Sequence, residues 1–456
     1  MPEREFDVIV IGAGPAGEVC AGRLGERGAS VALVEQELVG GECSYYACMP
    51  SKALLRPAEL LAEIDRVPGV RELVSSTLDP AVVFARRDEV IHDRDDSSQE
   101  PWLEERGVTL VRGLAMLTGE RRVQAGDEEL SARKAVVIAT GTAAAVPPIE
   151  GLAEARPWTN REATTASEVP DRLLILGGGV VGVEMAQAWS SLGASVALVE
   201  ASDRILVQEE PFASAEVARG LEAHGVEIHT GARAVAVSRG EGGQVTLRLE
   251  GGEELRGDEL LVAVGRKPRV AELGLSSVGV ADDGYIEVDD QLRVGGSDWL
   301  YAIGDVNGRA LLTHMGKYQA RIAADHILGA DVAATCDLTG SPRVIFTDPE
   351  VAAVGRTLEA AEQAGVNARA VDMATSANAG ASFRGRNAEG TSRLVVDEDR
   401  KVLVGATFVG PETAELLHAA TIAVVGEVPL ERLWHAVPAF PTRNEVWLRL
   451  LEQYGL

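Results

Sequence analysis

Short apolar runs closed by glycine recur along the chain, and each is followed by small and apolar residues at helical spacing. The first, in "FDVIVIGAGPAGEVCAGRLGERGASVALVEQE", predicts a strand over Asp7 to Ile11, a glycine-rich turn, a helix, and a second strand over Ser30 to Val34 ending in Glu35. The same order returns in "DRLLILGGGVVGVEMAQAWSSLGASVALVEASDR", with Glu200 as the terminal acid. Between them, "KAVVIATGT" (Lys134 to Thr142) reads as a strand ending in a small-residue turn, and "VPPIEG" (Val146 to Gly151) as a linker. "ELLVAVGRKPR" repeats the strand-then-glycine pattern, as does "DWLYAIGDVNG", which ends in Gly304-Asp305 and precedes a helical "ALLTHMGKYQARIAADHIL". From about Ala333 the pattern changes: "RVIFTDPEVAAVG" and "SRLVVDEDRKVLVGATFVG" suggest antiparallel strands, and "AELLHAATIAVVG" a helix. The expected fold class is α/β, with two Rossmann-like dinucleotide-binding domains followed by a C-terminal α+β domain.

Each strand–turn–helix carries G-x-G-x-x-G: Gly12, Gly14 and Gly17 in the first, Gly177, Gly179 and Gly182 in the second. The first glycine makes the tight turn, the second lets backbone approach a pyrophosphate, and the third lets helix and strand pack closely. Glu35 and Glu200 are placed to accept from a ribose hydroxyl. A carboxylate at Glu200 would repel a 2′-phosphate, so NADH is expected over NADPH, with Arg204 nearby keeping NADPH open.

Composition narrows the setting. A chain of 456 residues that is 46% hydrophobic can bury several cores, and a formal charge of −27 disfavours nucleic acid and anionic membrane surfaces as partners. The longest apolar runs are strand-length, so no membrane insertion is expected. Four cysteines are too few for a secreted disulfide scaffold, and the chain starts almost directly on a strand; the expected location is cytoplasmic.

Two of those cysteines, Cys43 and Cys48, lie in "GGECSYYACMPSK". A zinc site needs about four ligands, and no histidine or further cysteine lies near them in sequence, so no metal is expected. In a regular helix, residues five apart have Cα atoms roughly 8–9 Å from each other, beyond the disulfide reach of about 7 Å. An oxidised pair would require a distorted helix start, eased by Gly40-Gly41 and Pro50, and such a bond is labile, as a redox relay needs.

Taken in order, "VIGAGPAG", "GGECSYYACMPSK", "ATGT", "GGGVVGVE", "VAVGRKP", "YAIGD", "FTDPEVAAVG" and "PAFPTRNE" resemble the class I pyridine nucleotide-disulfide oxidoreductases, the family of lipoamide dehydrogenase, glutathione reductase and mercuric reductase. The resemblance implies FAD in the first nucleotide site and the nicotinamide cofactor in the second. It implies a discontinuous FAD-binding domain over residues 1–149 and 271–335, an NAD(P)-binding domain over 150–270, and a C-terminal dimerisation domain over 336–456 of a homodimer. Glu35 would then serve the adenosine ribose and Asp305 the ribityl chain, while Gly41, Thr140, Gly141, Gly265 and Thr313 join the glycines and Glu200 as cofactor-binding residues. The helix starting near Thr313 and His314 would aim its positive end at the flavin pyrimidine oxygen. Lys52 and Glu184 match the family's pair beside the flavin, where a lysine stabilises negative charge on the reduced ring. Cys48 would be the flavin-facing thiol and Cys43 the one that exchanges with substrate.

The sequence also departs from that family. Its His-Pro-Thr-x-x-Glu element reads Phe440-Pro441-Thr442-Arg443-Asn444-Glu445 here, so the thiol's proton acceptor is missing and Glu445 has no imidazole to orient. Pairing with Arg443 or placement at a helix start are the alternatives for Glu445, and His435 is an ordinary polar residue off register. A positioned acid–base group contributes about 10²–10⁴-fold, so lipoamide or glutathione disulfide turnover is expected to be slow. Tyr45 and Ala47 stand where asparagine and glycine are common, and Glu42 where threonine is. With Phe440, Tyr45 and Tyr46 suggest an aromatic mouth suited to a flat acceptor, the tyrosines being equally readable as packing residues. The expected activity is oxidation of NADH by an FAD enzyme that passes electrons through Cys43–Cys48 to a small-molecule acceptor: a quinone, a metal ion or an unidentified disulfide. The alternatives are a dihydrolipoamide dehydrogenase-like or other low-molecular-weight disulfide reductase, and a redox-sensing flavoprotein.

Overall fold

The computed structural model describes residues 4–74 and 77–456. It divides into two compact units, one of residues 1–50, 88–144 and 266–338, the other of 51–87, 145–265 and 339–456.

The first unit is built on the strand β1 (Arg4–Ile11), the helix α1 (Pro15–Glu26) and the strand β2 (Val31–Glu35). β1 runs parallel to β2, with Ile9 opposite Ala32, and on its other side parallel to the strand Glu128–Ile138, with Ile9 opposite Val136. The sheet continues from β2 to Val108–Arg112, and from Glu128–Ile138 to an antiparallel hairpin of Ala115–Gly119 and Arg122–Ala125; Leu300–Ala302 joins alongside Glu128–Ile138. Val8 and Val10 are covered on one face by Cys20, Ala21 and Leu24 of α1 and by Ala320, Ala323 and Ala324 of the helix Thr313–Ile327. Ile9 and Ile11 face the opposite core of Leu117, Val123, Leu273 and Ile286. Both sides of the central strands are therefore dry, which explains their near-continuous apolar reading.

In the second unit the strands Arg172–Leu176, Ser195–Val199, Glu227–His229 and Glu259–Val262 form a parallel sheet. The helix Val180–Ser191 packs Val183, Ala186 and Trp189 against it. Residues 51–87, expected from sequence in the FAD-binding domain, group with this unit, because Leu54, Leu55, Val83 and Phe84 share the core of Trp189 and Ile175. Beyond residue 339 the expected antiparallel sheet is present, five strands with Glu350–Gly355 and Val402–Gly410 adjacent and Phe408 fully buried at its centre.

The two glycine turns are copies of one device. Gly12 and Gly177 adopt φ of 98° and 110°, and a Cβ on either would lie 2.6 Å from the Ala139 oxygen or 2.5 Å from the Ala263 oxygen. A Cβ on Gly17 would stand 1.8 Å from the Gly12 oxygen, and one on Gly182 1.9 Å from the Gly177 oxygen. Gly14 and Gly179 cap the two helices in extended conformation, and their Cβ positions meet nothing within 4 Å. That open space lies over a helix N-terminus, where an anion is favoured.

Gly17→Ala is expected to destabilise the protein by about 1–3 kcal/mol through this overlap. Gly14→Ala is expected to leave the thermal midpoint of the cofactor-stripped protein unchanged, since its side chain meets no atom. Thermal unfolding of the two variants beside wild type checks both.

Candidate active site

The acid closing each βαβ unit is held by the backbone of its own turn. Glu35 accepts from Ala13 N–H (2.7 Å) and Glu37 N–H (2.7 Å), and Glu200 accepts from Gly178 N–H (2.7 Å) and Ser202 N–H (2.8 Å). A carboxylate offers about four lone-pair directions, so each keeps acceptor capacity for a ribose. Arg204 donates to the carbonyls of Leu206 (3.2 Å), Val207 (2.9 Å) and Glu209 (3.1 Å). Its guanidinium is thus spent on a local loop.

In the first unit, the glycine turn leads directly to the cysteines. Gly40 donates to Ala13 O (2.8 Å), and a Cβ on Gly41 would come 2.9 Å from Gly14 Cα, so the two loops touch. The helix α2 (Gly41–Tyr45) carries Cys43 and ends at Tyr46, and the helix α3 (Cys48–Arg66) starts at the second cysteine. The expected distortion is therefore a complete break at Tyr46–Ala47, which removes the helical separation and brings the sulfurs into hydrogen-bonding contact. Both are present as thiols. The Cys43 thiol is pushed well up, first by its hydrogen bond to Cys48, then by burial and by charge on Cys48. A bond to Thr313 and the charge of Lys317 pull it down. Thr313 Oγ1, at the start of the helix Thr313–Ile327, lies 3.4 Å from Cys48 Sγ, so it touches both sulfurs.

The turn carrying Asp305 is held from two sides. Asp305 is pushed up by burial, and its Oδ2 accepts from Thr142 Oγ1 (3.0 Å). Arg266 donates to Thr142 Oγ1 (2.5 Å) and O (2.8 Å), and Arg269 pairs with Glu42 at 2.9 Å. Thr140 Oγ1 donates to Arg269 O (2.8 Å). The residue before Cys43 is thereby linked through two arginines and Thr142 to Asp305. On the other side Gln319 Oε1 accepts from Gly304 N–H and Asn307 Nδ2, each at 2.8 Å, while its Nε2 donates to the buried Asp337 (2.9 Å), itself clamped by Arg309.

In the second unit Lys52 and Glu184 are brought together as expected, Nζ to Oε2 at 2.7 Å. Glu184 is buried, its Oε1 accepts from Phe346 N–H (3.0 Å), and Lys52 Nζ sits 4.8 Å over the Phe346 ring. Gly265 is the residue before the strand Arg266–Pro268, and its carbonyl accepts from Ala145 N–H (2.9 Å). Glu445 starts the helix Glu445–Tyr454 and accepts from Gly380 N–H (3.1 Å). Of the two placements expected for Glu445, the helix start is present and the Arg443 pairing is not: Arg443 Nε and Nη1 are buried without a partner, and the carboxylate is held by the Gly380 backbone. Phe440 is 77% exposed, whereas Tyr45 is 2% exposed, so Tyr45 is a packing residue and not part of an open aromatic surface.

Sequence reasoning missed Thr142, Arg266, Arg269, Gln319 and Lys317. Lys317 had a signal, four residues after Thr313 on one helical face; Arg266 and Thr142 directly follow Gly265 and Gly141. Among the described residues no group of three or more metal-ligating side chains occurs, and no helix is long and apolar enough to cross a membrane.

The first site fits a dinucleotide: an open cradle over Gly14, a fixed carboxylate at Glu35 and a half-buried acceptor at Asp305. Residues 6–324 match the family described as pyridine nucleotide-disulphide oxidoreductase, and residues 341–450 its dimerisation domain. The chain is 34% identical to a dihydrolipoyl dehydrogenase of Haloferax volcanii, covering 98% of this chain and 95% of that one. It is 32% identical to a mercuric reductase of Acidithiobacillus ferrooxidans, over 94% of this chain and 79% of that one. Among solved structures, the Cu(II) complex of the HOCl-induced flavoprotein disulfide reductase RclA from Escherichia coli superposes with a TM-score of 0.87 at 26% identity, over 99% of both chains.

Cys20 is fully buried and burial pushes its thiol up to about 12. Labelling of the folded protein with a thiol reagent, read by peptide mass, is expected to modify Cys43 and leave Cys20 untouched until denaturant is added.

Proposed function

Because the chain belongs to the pyridine nucleotide-disulphide oxidoreductase family, of FAD-dependent enzymes that use a pyridine nucleotide, we propose that it oxidises NADH and passes the electrons through Cys43 and Cys48 to an acceptor that needs no histidine at the thiol. The observation that carries this reading is the thiol pair itself, in mutual hydrogen bond and touching Thr313, with an exposed Phe440 as the counterpart of the family's histidine. Bound FAD would supply the two-electron carrier between nicotinamide and dithiol. Gly12, Gly14, Gly17, Glu35, Gly41, Lys52, Thr140, Gly141, Asp305 and Thr313 are proposed to hold it; Gly177, Gly179, Gly182, Glu200 and Gly265 are proposed to hold NADH. Lys52 is ion-paired with Glu184, a positive charge of the kind a reduced flavin needs next to it. Glu445 enters through its grip on Gly380, keeping the Phe440–Glu445 loop in place. The dimerisation domain supports a homodimer.

The preference for NADH rests on Glu200 and on Arg204, whose Nη1 and Nη2 donate to carbonyls of their own loop. For the acceptor, a quinone, a metal ion or an unidentified disulfide all fit the missing base; the mercuric reductase and Cu(II)-bound relatives support the metal option. A dihydrolipoamide dehydrogenase-like reaction is the second reading, favoured by the relatives of that name. Robust lipoamide turnover would establish it.

Anaerobic titration with NADH is expected to deliver more reducing equivalents to wild type than the flavin alone can hold, and only the flavin's share to Cys43→Ser. Absorbance at the flavin band, with a long-wavelength thiolate–flavin band in wild type only, reads the difference; equal uptake in both would retire the relay. Wild type is expected to oxidise NADH with a higher kcat/KM than NADPH. Glu200→Ala should narrow that ratio about tenfold or more, as loss of a charged hydrogen bond does.

A further inference from the structure

The stretch between Glu200 and the helix Pro211–Ala223 is held at three places. At its start, Glu200 accepts from Gly178 N–H and Ser202 N–H. In its middle, Leu206 donates its N–H to the Gly178 carbonyl (2.9 Å), and Ile205 O accepts from Ser214 Oγ (2.7 Å). Gly178, inside the second glycine turn, thus gives its N–H to one part of the stretch and its carbonyl to another. A Cβ on it would lie 2.8 Å from Ile205 Cγ2. Leu206 has φ of 49°, a conformation that a leucine keeps only where its surroundings enforce it. The end of the stretch is gripped by the C-terminal sheet. Glu209 is buried and bidentate with Arg343, Oε1 to Nε at 2.6 Å and Oε2 to Nη2 at 2.8 Å. Arg343 lies on the strand Pro342–Ile345 and donates its Nη1 to Gly355 O (3.3 Å) on the paired strand. Glu210, also buried, accepts from Leu358 N–H (2.8 Å) and from Arg393 Nη1 (2.9 Å). The carbonyls that occupy Arg204, those of Leu206, Val207 and Glu209, all belong to the part that Glu209 ties down.

We propose that Arg343, on the C-terminal sheet, is a positioning residue for the adenosine half of the nicotinamide nucleotide. Through Glu209 it keeps residues 201–210 closed on Gly178 and keeps Arg204 engaged with its own loop. The proposal deepens the reading of Gly177, Gly179, Gly182 and Glu200 as the NADH site and rests on it. A buried carboxylate deprived of its arginine is costly where it stands, and that cost falls if residues 206–210 open towards water. Leu206, held against its backbone preference, then leaves Gly178, and the glycine turn and Glu200 lose their common support. The same opening removes the carbonyls to which Arg204 donates. It frees a guanidinium four residues beyond Glu200, the kind of group that accommodates a 2′-phosphate. Closure of one loop thus serves both affinity for NADH and rejection of NADPH, and the loop takes its position from a sheet outside its own βαβ unit.

The test is calorimetric titration of the holoenzyme with ADP-ribose and with 2′-phospho-ADP-ribose, which read the adenosine half without any redox chemistry. Arg343→Met is expected to weaken ADP-ribose about five- to tenfold and the phosphorylated ligand less, so that the preference between them narrows. Arg204→Met added to Arg343→Met is expected to weaken the phosphorylated ligand alone and to widen the preference again. Arg343→Lys keeps the charge but not the fork, and is expected to recover most of the ADP-ribose affinity. In stopped-flow reduction of the flavin by NADH, Arg343→Met is expected to raise the apparent dissociation constant and leave the limiting rate unchanged. Glu209→Ala cuts the same tie without leaving a buried carboxylate behind, and is expected to move both ligands in the same directions. It carries the test if Arg343→Met lowers the thermal midpoint below the working temperature. An ADP-ribose affinity that Glu209→Ala leaves unchanged, where Glu200→Ala lowers it, overturns the role of the Glu209–Arg343 pair alone. An affinity that Glu200→Ala also leaves unchanged overturns the reading of the site on which it rests.

Discussion

The site depends on a carboxylate gripping the backbone of a glycine turn. Glu35, at the end of a strand, accepts from Ala13 and from Glu37, and so fixes a loop that has no side chain of its own to hold it. Ala13 in turn receives Gly40 through its carbonyl, and Gly41 rests on Gly14. The helix bearing Cys43 is thus positioned, link by link, from one buried strand end. Glu200 repeats the first step in the second unit, where the loop beyond it is closed by Arg204. One physical solution serves both nucleotide sites, and only what is attached downstream differs.

What is attached in the first unit is a set of compensated charges. Glu42 is balanced by Arg269, with Arg266 bracing Thr142, and Asp337 is balanced by Arg309. Burying such groups is costly unless they are paired and hydrogen-bonded, and here each ion pair also orients a turn. Thr142 and Gln319 approach the Gly304–Asp305 turn from opposite directions. Its geometry therefore answers to residues as distant in sequence as Glu42 and Asp337. The family's histidine is absent from this balance, its position being taken by the exposed Phe440.

The sequence made the two βαβ units, their terminal acids and the antiparallel C-terminal sheet readable, because each rests on local rules: a glycine turn between an apolar strand and an amphipathic helix, or a period-two alternation. The Lys52–Glu184 pair was readable only through motifs that resemble a known family. The arginine network and Gln319 were not legible, since contacts such as Arg269 with Glu42 or Thr142 with Asp305 join residues over a hundred positions apart and leave no periodic trace. Tyr45 stayed open between two readings for a related reason: an aromatic next to a cysteine gives no indication of which side faces the core. The grouping of residues 51–87 was missed because a helix reports its apolar face and not its partner, here the core around Trp189.

The break between α2 and α3 has a thermodynamic meaning for a pair that must open and close repeatedly. A covalent link between Cys43 and Cys48 would close a ring of only a few residues, and the entropy such a link removes from the unfolded chain grows with ring size. By that relation so short a ring stabilises the fold by about 2 kcal/mol, roughly half of what closing a hundred-residue loop gives. With the helical stretch between the cysteines already interrupted at Tyr46–Ala47, no turn of helix has to be unwound and rewound as the bond is made and broken. Closing the bond therefore changes conformational stability less than closing a long loop would, and no helical turn has to be rebuilt with it.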